Sequence, residues 1–255
     1  MNHWTHRRWF AAAALVALLG TAHAQNAPAA RVPFVGCPGI GGPDPGPWPV
    51  PMRASKVLPS QPKVAAARIA YYRAVRGPGV FAPRGWHCQA WGGANGAFII
   101  VSPTAPPAVI PRQSVRGPGV IAIESYGGTS GRFEVAEVSA RLFPKVMAGF
   151  IARVKGEGFP SPGFSKIEPF PEDRYTYLTP RRVEFTTPAH RKGIGTGILV
   201  PSGEPVRGVV SLATGDGRDP DLLQFEIRLS SSHDPLTRAL LALELQCLNG
   251  SESGC

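Results

Sequence analysis

His87 is the residue whose type and setting best suit chemistry. It lies in Arg84-Gly85-Trp86-His87-Cys88, with Trp91 four residues further on. An imidazole serves as a general base, a ligand contact or a metal ligand near neutral pH. Here two tryptophans and an arginine surround it. That setting makes Arg84, His87 and Trp91 the candidate ligand contacts, and His87 the one candidate catalytic residue. Catalysis would need an acid supplied by the fold, such as Glu184 or Asp216. The competing expectation is a structural histidine, hydrogen-bonded on a half-covered strand face.

Other candidate motifs fall short of their chemistry. Asp216-Gly217-Arg218-Asp219-Pro220-Asp221 has the composition of a calcium loop, but Ile227 stands where a closing glutamate belongs. A turn is expected there. Gly193-Ile194-Gly195-Thr196-Gly197 is rich enough in glycine to cradle a phosphate. Phosphate loops, however, open a helix, whereas Ile198-Leu199-Val200 reads as a strand. A hairpin or bulge is expected, with His190, Arg191 and Lys192 on a basic surface turn. His87-Cys88 and Ser130-Gly131 invite comparison with trypsin-like proteases. The interval is too short, the chain order is wrong, and no acid precedes Ser130. No Cys-x-x-Cys or histidine cluster suggests a metal, and no motif implies a cofactor.

The positioning elements are organised by a repeat. Val75-Arg76-Gly77-Pro78-Gly79-Val80 recurs as Val115-Arg116-Gly117-Pro118-Gly119-Val120. An aromatic, two glycines, two small residues, a glycine and then a Phe follow each copy: Trp91 to Phe98, and Tyr126 to Phe133. Gly-Pro-Gly suits a type II turn with positive φ at its second central position. Two hairpin units, 75–102 and 115–138, are therefore expected. Phe98-Ile99-Ile100-Val101, apolar on both faces, reads as a fully covered strand. Trp86 and Cys88 should face the core, with His87, Gln89 and Trp91 opposite. In the second unit, Phe133 and Val135 alternate with Arg132 and Glu134, as on a strand with one wet face.

Three helices are expected. Lys63 to Val75 is alanine-rich. Leu142, Phe143, Val146, Met147, Phe150, Ile151 and Val154 form one amphipathic stripe, with Pro144 in its first turn. A last helix runs from Pro235 to about Leu248, capped by Asp234. Between them, 159–180 reads as irregular. Arg182–Thr186, Ile198–Pro201, Val206–Leu212 and Leu222–Leu229 read as strands. The fold class is α+β: an antiparallel sheet with about three helices in a single domain, 63–255.

Ten of the 28 prolines fall between Pro28 and Pro62. Residues 25–62 should thus form an extended Pro/Gly-rich arm, with Trp48, Val50 and Met52 across an apolar groove. Residues 1–24 read as a signal peptide. Arg7-Arg8 leads an apolar run from Phe10 to Gly20, and Ala22-His23-Ala24 supplies the cleavage form. That run is too short to span a membrane. Removing residues 1–24 takes two arginines and no acid, so the net charge goes from +10 to +8. This favours anionic partners, although the charges are too dispersed for specific nucleic-acid binding.

A periplasmic or extracellular location favours disulfides. Cys37, Cys88, Cys247 and Cys255 allow three pairings. Closeness in sequence favours Cys247 with Cys255, leaving Cys37 with Cys88 to tether the arm. Closing that longer loop contributes roughly 3–4 kcal/mol in the chain-entropy model.

Ala82-Pro83-Arg84-Gly85-Trp86-His87-Cys88, Gly36-Cys37-Pro38, Ala70-Tyr71-Tyr72 and Gly193 to Thr196 together resemble an uncharacterised family of secreted bacterial proteins. The resemblance implies secretion and a shared fold, and it brings no activity. The expected function is an exported, non-catalytic protein of the bacterial envelope that binds an anionic component or a partner protein. The alternative is a small extracytoplasmic hydrolase using His87.

Overall fold

The computed structural model describes residues 31–42, 46–52, 55–57, 63–107, 115–157, 169–213 and 219–250. The signal-type segment, Asp216 and Cys255 lie outside the described residues. The chain order is β1 (Arg31–Gly36), β2 (Gly39–Gly41), β3 (Pro47–Trp48), β4 (Ser55–Val57), α1 (Lys63–Arg68), β5 (Ile69–Arg73), β6 (Gly79–Pro83), β7 (His87–Gly93), β8 (Gly96–Ser102) and β9 (Gly119–Ser125). It continues with α2 (Arg132–Leu142), α3 (Ala148–Gly156), β10 (Arg174–Thr179), β11 (Arg182–Thr187), β12 (Val206–Ala213), β13 (Asp221–Arg228) and α4 (Asp234–Gly250). The class is α+β, as expected.

The strands form two sheets. The larger has nine strands in the order β10-β11-β12-β13-β9-β8-β7-β2-β3 and is antiparallel except at β2–β7. The smaller has the order β4-β1-β5-β6, with β1 and β5 parallel. The small sheet and α4 cover one face of the large sheet, where Ile99, Val101, Phe225, Ile227, Leu240 and Leu243 meet. Helices α2 and α3 cover the other face, where Ile100, Ile121 and Val210 meet Val135, Leu142 and Ile151. Strand β8 is therefore covered on both faces, with Ile99, Ile100 and Val101 fully buried. Glu244 of α4 accepts a hydrogen bond from the Phe81 amide at 2.9 Å, fastening α4 to the outer strand of the small sheet.

The arm is more than a tether. It supplies β1 and β4 to the small sheet and β2 and β3 to the large one. Pro33 is tolerated in β1 because Arg31 to Pro33 pair with β4, while Phe34 to Gly36 pair with β5. The Cys37–Cys88 disulfide joins the arm to β7 across 51 residues. No free cysteine remains among the described residues. Trp48 is buried against Gly39 and Gly92, but Val50 and Met52 are exposed rather than docked in a groove.

Several local expectations yield to tertiary context. The helix at 63–75 stops at Arg68, and Ile69 to Arg73 form β5. Its Ile69, Tyr71 and Tyr72 suit a strand buried between β1 and β6. The 142–154 stripe is shared by α2 and α3. Pro144 interrupts it because it has no amide proton to donate, yet Leu142, Phe143, Met147, Phe150, Ile151 and Val154 still share one core. Phe133 and Val135 lie in α2, not on a strand. There Val135, Ala136, Val138, Ser139 and Leu142 make a buried helical face. Ile198–Pro201 contributes only a bridge, Leu199 to Val115. Arg174–Thr179, within the stretch read as irregular, forms edge strand β10.

The two repeat copies also differ. The first leads through β6 to the β7–β8 hairpin. The second leads through β9 directly to α2. Neither Gly-Pro-Gly makes the expected type II turn. Gly79 and Gly119 begin strands without positive φ, and it is Gly77 that takes a φ of 81°.

Candidate functional site

Between β6 and β7 the chain turns through Arg84 and Gly85, and Gly85 takes a φ of 84°. Only glycine does this without steric cost. Tyr72 staples the turn: its hydroxyl donates to the Pro83 carbonyl at 2.7 Å and accepts from the Trp86 amide at 3.1 Å. The Arg84 amide donates to the Arg68 carbonyl at 2.9 Å. This sets the backbones of two arginines side by side, so both side chains start from one edge.

A cleft of about 450 Å3 opens there. Arg68, Arg84, Trp86 and His233 line it, with an apolar wall of Pro83, Leu229 and Leu236. No carboxylate is among its lining residues. His233 lies in the turn before α4, where Nδ1 sits 2.7 Å from Ser230 Oγ and 3.1 Å from Ser232 Oγ. The Ser230–His233 contact is not backed by the next residue. The two Asp234 oxygens accept from Arg207 and Arg238, each at 2.8 Å. Two guanidiniums beside an indole suit an anion with an apolar or ring-bearing part.

The expected residues separate. Arg84 lines the cleft. His87 begins β7, is exposed and pairs with Ser102; it adjoins Trp86 in sequence without lining the cleft. Trp91 is only 1% exposed. It stacks on Phe98 at 4.8 Å inside the second core, so its face is not wet. Gln89, on the same strand face, is buried too. Glu184 lies on β11, five strands from β7, hence roughly 24 Å away at the usual strand spacing. It cannot serve His87. Ser130 lies beyond the far end of the β7–β8 hairpin from His87, removing the protease comparison.

The Gly193–Gly197 loop holds a 3-10 turn, Ile194–Thr196, and the amide protons of Gly193 to Thr196 are already used. Ile194 donates to Asp173 Oδ2 at 2.8 Å, Gly195 to Thr187 Oγ1 at 3.3 Å, and Gly193 to Thr196 Oγ1 at 2.9 Å. A carboxylate of the chain itself occupies the position a phosphate would take. Arg191 is likewise paired, with Glu172 at 2.7 Å.

Sequence reasoning missed Arg68 and His233, which reach the cleft from residues far from Arg84 in the chain. It also missed the buried row Gln224, Glu226 and Arg228 on β13. Phe225 and Ile227 face the first core, while on the other side the Ile194 carbonyl takes Gln224 and the Val115, Gly117 and Val200 carbonyls take Arg228. No family model, curated protein or solved structure matches the chain. Among the described residues no helix is long and apolar enough to cross a membrane.

Proposed function

We propose that this chain is an exported, non-catalytic binding protein of the bacterial cell envelope, and that the Arg68–Arg84–Trp86–His233 cleft takes an anionic envelope component. One observation carries the reading: basic and aromatic side chains converge on one cleft, and no carboxylate is among its lining residues. The Cys37–Cys88 disulfide supports an oxidising compartment. The signal-type segment in residues 1–24 and the resemblance to secreted proteins support export.

The test is co-sedimentation of the mature protein with isolated anionic envelope polymers across a salt series. Binding should weaken as salt rises, and Arg84→Glu should abolish it. Equal retention by the parent and Arg84→Glu would sink the proposal. So would turnover of a hydrolase substrate that disappears with His87→Ala, which would favour the enzyme alternative.

A further inference from the structure

Most arginines of this chain that lie near an acid are spent on it. Arg132, Arg153, Arg191, Arg207 and Arg238 each hold a carboxylate. Arg68 and Arg84 differ. Both are exposed at the cleft, and among the described residues neither guanidinium has an ion pair or a hydrogen bond. Their donors are therefore free for a ligand, and the backbone bond between the two residues sets where both side chains start.

A third donor comes from the opposite wall. Ser230, Ser232 and His233 close a triangle in the turn before α4. The two hydroxyl oxygens lie 2.8 Å apart, and Nδ1 of His233 lies 2.7 Å from Ser230 Oγ and 3.1 Å from Ser232 Oγ. A serine hydroxyl can donate to Nδ1, and in that neutral ring the proton sits on Nε2. Nε2 has no partner among the described residues. The adjacent carboxylate, Asp234, is held by Arg207 and Arg238. Three groups with N–H donors thus reach one cleft from three elements: Arg68 from the end of α1, Arg84 from the β6–β7 turn and His233 from the turn before α4.

The number of donor groups narrows the anion. A carboxylate offers two oxygens and one charge, and a phosphodiester offers two unbridged oxygens and one charge. A single bidentate arginine satisfies either. A phosphate monoester offers three terminal oxygens and about −1.5 to −2 charges at pH 7. It has one oxygen for each of the three groups. The rest of the cleft narrows what carries the phosphate. Pro83, Leu229 and Leu236 form an apolar wall beside the Trp86 indole, and a bare inorganic ion would leave that wall unused. The cleft volume of about 450 Å3 falls within the roughly 300–1,000 Å3 of small-molecule sites.

We propose that the cleft binds a terminal phosphate monoester on a ring-bearing group, with the phosphate on Arg68, Arg84 and His233 and the ring against Trp86. This rests on the anion-binding function proposed for the same cleft. It narrows that function to phosphorylated ends, free or on a polymer, rather than to the repeating charges along a chain.

The experiment is calorimetric titration of the mature protein at pH 7 with phenyl phosphate, with its diester methyl phenyl phosphate and with inorganic phosphate. Phenyl phosphate should bind saturably and at least about tenfold more tightly than either of the others. His233→Ala should weaken phenyl phosphate about tenfold and leave the diester nearly unchanged. A second arm separates a free ligand from a chain end. An envelope polymer with phosphate ends is co-sedimented before and after alkaline phosphatase, which removes monoesters and leaves diesters and carboxylates. Retention should disappear after the treatment. Retention that survives phosphatase but is lost in Arg84→Glu would overturn the proposal and leave the anion site standing. Retention equal in the parent and Arg84→Glu would overturn both. No saturable binding of phenyl phosphate, or equal affinity for its diester, would also overturn it. That comparison uses the unmodified chain, so it decides the matter even if a variant misfolds.

Discussion

The first and second copies of the repeated hexapeptide share six residues and a following aromatic-Gly-Gly segment, yet they are held in place differently. The first rests at the surface. Its Arg76 lies 5.8 Å over the Trp48 ring, and its Gly77 turns left-handed against Ala97. The second is held from within. Arg228 on β13 is 2% exposed and donates to the carbonyls of Val115 and Gly117 at 2.6–3.0 Å, and to that of Val200. Identical local residues are thus stabilised by unlike means. What each copy becomes depends on the partner waiting for it: β5 for the first, and β8 and β13 for the second.

The largest break in this comparison should come from Arg228→Leu. It strands three carbonyls, and each buried acceptor left unsatisfied costs about 1–3 kcal/mol, so a loss of roughly 3 kcal/mol or more is expected. A denaturation midpoint would show it. Arg76→Leu, in the first copy, should cost about 0.5–1 kcal/mol, the range of an exposed cation–π contact.

The next effect sits behind the second copy. Arg228 spends its hydrogen-bond donors on carbonyls, so it and Gln224 only partly oppose the burial of Glu226, to which Glu134 adds. Glu226 Oε1 accepts from Gln224, and Oε2 has no partner. Burial pushes its carboxyl up from 4.5 to about 7. The folded chain therefore holds a proton that the unfolded chain releases above 4.5. Stability should fall as pH rises from about 4.5 to 7 and level off beyond, by about 3 kcal/mol. Glu124 and Glu134 shift in the same direction. Melting curves from pH 5 to 8 measure the slope, and Glu226→Gln should flatten most of it.

Glycine substitutions give a smaller contrast. Gly77→Ala adds a Cβ 2.7 Å from the Ala97 Cβ at a φ of 81°, and should cost about 1–2 kcal/mol. Gly117→Ala meets nothing within 4 Å and should fall within about 0.5 kcal/mol of neutral. Equal effects at the two positions would mean that the copies are not held differently.

Legibility in the sequence followed how local each signal was. The Phe98–Val101 run, the Leu-rich last helix and the Cys37–Cys88 pair were readable because composition or elimination decides them. The alternation on β13 was readable as a strand, but not as a strand covered on both faces, since its cover comes from other elements. The 63–75 segment misled because alanine favours helix locally, whereas burial between two strands favours Tyr71 and Tyr72 in β5. Of the basic cleft only Arg84 was readable; Trp86, expected to face the core, lines the cleft instead. Arg68 and His233 join only through the Arg68–Arg84 backbone bond and the placement of α4. Trp91 was marked as a ligand contact for its place near His87 and Arg84; the structure stacks it on Phe98 inside the second core.

The central claim concerns the cleft rather than the dispersed positive charge of the chain. The direct measurement is calorimetric titration of an anionic envelope polymer into the parent protein, an Arg68→Ala/Arg84→Ala variant and an Arg181→Ala/Arg191→Ala variant of equal net charge. The first variant should lose more than about tenfold in affinity, or about 1.4 kcal/mol, while the second stays close to the parent. Equal losses in both variants would contradict it and assign binding to surface charge alone.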